Sequence, residues 1–153
     1  MRRARRRYLQ TGSERALRVY LISKARLGRW DERYLLHFGV NGDVNRDIKR
    51  FFTRAFAAGL VPTSGRRNDP GSHHNDGNAG DAGLRRELIG TAEGEARLRR
   101  FHAAEYDRRG RTRPIELIGP IDDRQVLGGV DTALPEGAPL EDQHDNHVHF
   151  AHV

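Results

Sequence analysis

The sequence predicts a single α+β domain. Three observations lead there: apolar residues at helical spacing in separate segments, short runs of strand-forming residues between turn-rich stretches, and a length of 153 residues, which suits one core. The apolar share of 36% against 31% charged describes a soluble chain with a modest core, and no apolar run approaches the roughly 20 residues that span a bilayer.

The first 12 residues are basic, with Arg2, Arg3, Arg5, Arg6 and Arg7, and are expected to form a flexible tail. Residues 13 to 27 set Leu17, Tyr20, Leu21, Lys24 and Leu27 at helical spacing behind a Ser13 cap. Trp30, Tyr34 and Phe38 follow four apart, suiting one helical face. After a turn over 39 to 43, Asp43 or Asn45 can cap a helix through IKRFFTRAFAAG that stops at Gly59, with Ile48, Phe51, Phe52, Ala55 and Phe56 as a core stripe. LVPTSGRR reads as a short strand ending in a turn. Residues 68 to 83, NDPGSHHNDGNAGDAG, have the composition of a loop. A further helix is expected over 92 to 108, with Leu98, Phe101 and Tyr106 inward and His102 as a surface or packing residue. PIELIGPI is a strand candidate, 122 to 143 read as irregular, and the closing HDNHVHFAHV favours a strand.

With no cysteine, disulfides and thiol chemistry are excluded, and any metal site must be built from His, Asp or Glu. The net charge of +6 is almost wholly arginine, because the only lysines are Lys24 and Lys49. Such a surface suits nucleic acid, an anionic wall polymer, or plain solubility. The N-terminus lacks the apolar stretch of a secretory signal, so export would need another route.

Five of the eight histidines fall in two short clusters, His73 and His74, then His144, His147 and His149. On a strand, residues two apart share a face, so Asp145, His147 and His149 are expected to line one surface while Val148 and Phe150 pack on the other. A mononuclear catalytic zinc takes three protein ligands and one open position, and two histidines with a carboxylate are a familiar set. His74 and Asp81, with Gly77 and Gly80 between them, can fold toward one ion, and His149 completes the set.

The string Ser72-His73-His74-Asn75-Asp76-Gly77-Asn78-Ala79-Gly80-Asp81 fits S-x-H-x-x-G-x-A-x-D and resembles the first zinc motif of the D-alanyl-D-alanine carboxypeptidase and dipeptidase family. The ending His147-Val148-His149 resembles the H-x-H motif that joins those enzymes to lysostaphin-type and penicillin-insensitive murein endopeptidases. Extended to His144, it looks most like the H-x-x-H-x-H of the murein endopeptidases. Ser64-Gly65-Arg66-Arg67 is similar to the S-G-x-R turn of the carboxypeptidase branch. Two positions depart from that branch: Asn146 stands where it has a glutamate base, and Ala82-Gly83 replace the apolar residue after the zinc aspartate.

The resemblance implies a small, mainly antiparallel sheet with helices on one side and the zinc site on the sheet. It implies a zinc peptidase holding one Zn2+ through His74, Asp81 and His149 and cutting an amide bond in cell-wall peptides, as carboxypeptidase or endopeptidase. Arg67 and Ser72 would then contact a substrate carboxylate. His147 is the first choice for steadying the transition state, or else orients a ligand, while His144 and Asp145 compete for proton transfer, with Glu116 and Asp142 as further sources. His73 and His152 are expected to be bystanders. The protein is expected to act as a monomer at the bacterial cell wall or periplasm. The alternative is a basic nucleic-acid-binding domain or metal-dependent nuclease, although no nucleic-acid motif is found.

Overall fold

The computed structural model describes residue 40, residues 43–135 and residues 138–153. The basic tail and the helical expectations over residues 13 to 38 lie outside them.

The first helix of the described residues, α1 (Arg46–Ala57), is capped by Asn45 rather than Asp43: the Asn45 side chain accepts from the backbone N–H groups of Asp47 and Ile48, both at 3.0 Å. The same side chain donates to the His152 carbonyl at 2.8 Å and to Asn78 Oδ1 at 3.0 Å, so one residue starts the helix and ties it to two strand ends. Such a cap is worth about 1 kcal/mol. The expected stripe of Ile48, Phe51, Phe52, Ala55 and Phe56 is buried.

Strands β1 (Val61–Ser64) and β2 (Ala79–Gly83) follow, then α2 (Ala92–Asp107), capped by Thr91, and the single turn α3 (Arg109–Thr112). Then come β3 (Glu116–Ile118), β4 (Gln125–Leu127), β5 (Val130–Thr132), the single turn α4 (Pro139–Asp142) and β6 (His147–Ala151). The six strands form one open, antiparallel sheet in the order β1-β2-β6-β3-β4-β5. This is the α+β architecture expected.

Helices α1 and α2 pack on one face of the sheet, where Phe51, Phe52, Phe56, Leu98 and Phe101 meet Ala82, Leu117, Val126, Val148 and Phe150. Phe51 stacks on Phe150 with ring centres 5.0 Å apart, and burying one such ring stabilises the fold by roughly 1.5–3 kcal/mol. An Arg54–Glu105 pair links the two helices, with Glu105 almost fully buried and held by both Nε and Nη2 of Arg54.

Two expectations need correction. Residues 79–83 form not a loop but a fully buried central strand, made of tiny residues because α1 presses on it: a Cβ on Gly80 would lie 2.5 Å from Phe52 Cζ and 2.7 Å from Ile48 Cγ2. The segment from 122 to 143, read as irregular, contains the β4–β5 hairpin. Its two-residue turn is Gly128-Gly129, with φ of 58° and 80°, the backbone that tight hairpins require. Among the described residues, no helix is long and apolar enough to cross a membrane.

Candidate metal centre

The face of the sheet opposite the helices carries the histidine and carboxylate cluster. Strand register sets Asp81 of β2 directly across from His149 of β6, and Ala82 across from Val148. Because side chains alternate along a strand, Asp81, His147 and His149 share one face while Ala82, Val148 and Phe150 point into the core. Glu116 of β3 is paired with Ala151, two residues beyond His149, and lies on the same face.

His74 comes from the turn between β1 and β2. Its peptide is fixed from two sides, with Arg67 N–H and Gly77 N–H both donating to its carbonyl. Its ring is 1% exposed, and Nδ1 lies 2.8 Å from the Gly65 carbonyl. A carbonyl only accepts, so Nδ1 carries the proton and Nε2 presents a lone pair. That Nε2 has no hydrogen-bond partner and faces Asp81 Oδ1 at 3.3 Å. Two buried acceptors aimed at each other call for a cation between them.

His149 closes the group. Its Nδ1 is 2.8 Å from Asp81 Oδ1 and its Nε2 is 3.0 Å from Glu116 Oε2. One ligand atom from each of His74, Asp81 and His149 lies within 4.8 Å of the others, all three residues are buried, and together they can hold a metal ion. This is the one such group among the described residues, and it is the trio expected from the sequence.

Electrostatics accord with that geometry. Burial works against the Asp81 charge, but the hydrogen bond from His149 and the nearness of the His149 and His74 rings more than offset it and hold the carboxyl well below the usual range. Burial likewise disfavours a charged His149, yet the carboxylates of Asp81 and Glu116 win and raise it to about 9. The hydrogen bond from His149 lowers Glu116. Burial pushes His147 down to about 4 and lowers His144.

His147 and His144 flank the trio. Their rings lie 4.7 Å apart, His144 meets the His149 ring edge-on at 5.6 Å, and His147 Nε2 is 4.0 Å from Asp81 Oδ1. His144 Nδ1 donates to the Leu140 carbonyl at 2.7 Å and His147 Nδ1 to Asn146 Oδ1 at 2.8 Å, which leaves Nε2 of both rings as acceptors. Asp145 does not share their face. The strand begins at His147, and Asp145 sits exposed in the preceding turn with no hydrogen bond or ion pair to the cluster.

Arg67 lies half-exposed at the mouth, with Nη1 3.6 Å from Asp81 Oδ2 and 3.0 Å from Ser64 Oγ. Ser72 Oγ accepts from His74 N–H at 3.3 Å, so it shapes the turn that presents His74. His73, expected to be a bystander, stands 3.8 Å from Glu116 Oε1 at the rim, whereas His152 pairs with Asp47 away from the cluster. Strand alternation over PIELIGPI, aligned against β6, is the signal that would have brought Glu116 to the centre.

Comparison of the chain with protein families, with curated proteins and with solved structures finds no match.

Proposed function

We propose that the protein is a zinc-dependent peptidase that hydrolyses an amide bond in bacterial cell-wall peptides. One observation carries the reading: two buried histidines and an aspartate converge on one point, and the Nε2 lone pair of His74 faces a carboxylate with nothing to satisfy it. Two imidazoles and one carboxylate suit zinc, and three protein ligands leave a position open to water or substrate. Zinc held at such a site supplies Lewis acidity and a more acidic water.

The remaining steps fall to the chain's own groups. His147 keeps an Nε2 acceptor 4.0 Å from Asp81, and His144 keeps one on a ring that meets His149, which suits taking a proton from the attacking water and returning it to the departing amine. Asn146 contributes by orienting His147, in place of the glutamate that the resembling carboxypeptidases carry there. Arg67, half-exposed beside Asp81, offers its guanidinium to a carboxylate of the peptide.

Purified protein is expected to hold about one zinc per chain and to release muropeptides from a wall preparation, with activity lost to a chelator and restored by zinc. Full zinc content and full activity in both His74→Ala and His149→Ala would sink the reading. Salt-sensitive DNA binding without muropeptide release would favour the nucleic-acid alternative.

A further inference from the structure

The two candidate histidine ligands are oriented from behind by different acceptors. His74 leans on the neutral carbonyl of Gly65, whereas His149 leans on the carboxylate of Glu116. We propose that Glu116 is a positioning residue of the metal centre, which by accepting the Nε2–H of His149 turns that ring so that Nδ1 faces the ion. This inference deepens the peptidase reading and rests on its metal site.

The geometry leaves little freedom. A neutral imidazole carries one proton, and the nitrogen that binds a metal must give it up. His149 Nδ1 faces Asp81, the carboxylate of the trio, so Nδ1 is the nitrogen on the metal side and Nε2 keeps the proton. Glu116 Oε2, 3.0 Å from Nε2, is the acceptor for it. Its other oxygen faces His73 Nε2 across the rim at 3.8 Å. With both oxygens turned to histidines, Glu116 is placed to hold a ring rather than to reach a substrate. Its side chain must cross from the Ala151 register position to that of His149, a diagonal reach that suits glutamate better than the shorter aspartate. Partners of this kind fix the tautomer and orientation of ligating histidines, and their loss costs about 10–100-fold in metal affinity.

The test is a zinc titration of the full chain against a competing chromophoric chelator, for wild type, Glu116→Gln and Glu116→Ala, with circular dichroism confirming an unchanged fold. Zinc affinity is expected to fall about 10-fold in E116Q, which keeps an acceptor oxygen, and toward 100-fold in E116A, which keeps none. In zinc-loaded wild type, nitrogen-15 spectra of the histidine rings should show a slowly exchanging Nε2–H on His149. E116A should lose that signal while His74 keeps its Nδ1–H. Unchanged affinity and an unchanged ring spectrum in both variants would overturn the proposal, and a loss of hydrolysis alone would instead place Glu116 at the reacting water. Weaker zinc binding by E116Q in a chain that cleaves no muropeptide would still support the positioning role while removing the peptidase reading. A wild-type chain that takes up no zinc overturns both.

Discussion

His74 and His102 are buried to the same degree, at 1% and 0% exposure, and each has ring nitrogen without a hydrogen-bond partner, Nε2 alone in His74 and both nitrogens in His102. Their settings differ in what that nitrogen faces. His74 sits on the polar side of the sheet with its lone pair aimed at the Asp81 carboxylate, fixed from behind by Gly65. His102 sits on α2 against the backbone of Gly119, where an added Cβ would come within 2.9 Å of its ring, and its charged neighbours are Arg99 and Arg124. A cation has a place beside the first ring and is repelled from the second. Burial alone does not make a histidine a ligand; facing acceptors do.

The contrast breaks most readily at Asp81. Asp81→Ala removes the acceptor that distinguishes the two sites, and zinc affinity should fall by more than the roughly 100-fold ascribed to supporting groups, read by the same chelator competition. If D81A bound zinc as tightly as wild type, the trio would be misassigned.

Gly80→Ala tests the wall between the polar and apolar sides. The added methyl meets Phe52 and Ile48, so unfolding in urea should show a loss of about 1–3 kcal/mol, with zinc affinity of the folded fraction changed much less.

His102 should betray itself through pH. Burial holds its folded pKa at about 4, below the ordinary value near 6.5, so the unfolded chain binds more protons between those values. Its contribution to stability is therefore complete above about pH 6.5 and is lost as pH falls toward 4. His102→Leu should flatten the acid side of the stability curve by on the order of 1–3 kcal/mol, part of the slope remaining with His144 and His147, which are lowered in the same direction. A slope unchanged in H102L would show that the ring does not stay neutral.

The smallest effect is expected from Asp145→Asn. An exposed turn residue without a bond to the cluster should leave zinc affinity and hydrolysis within about twofold of wild type, in line with ordinary surface substitutions.

The trio was legible because its residue types stand out from their surroundings: a histidine and an aspartate among glycines, and an H-x-H whose alternation with Val148 and Phe150 declares which side is wet. The long helices were legible from their apolar spacing. Strand β2 was not, since Ala-Gly-Asp-Ala-Gly carries no strand propensity and owes its conformation to neighbours on both sides and to α1 above it. From sequence alone Glu116 is one of several carboxylates, because its place beside His149 depends on β3 pairing with β6 across 33 residues, which no local pattern encodes. Alternation alone puts Asp145 on the strand, and the turn at 143–146 takes it away.

The hydrogen bond between Asp81 and His149 joins residues 68 apart in the chain. Closing so large a loop is slow compared with forming a helix or a hairpin, so the trio cannot exist in any early, locally ordered state. Metal capture during refolding would then report completion of the central sheet, lagging the helical signal from α1 and α2. Ions present from the start would stabilise the finished sheet rather than its locally formed elements.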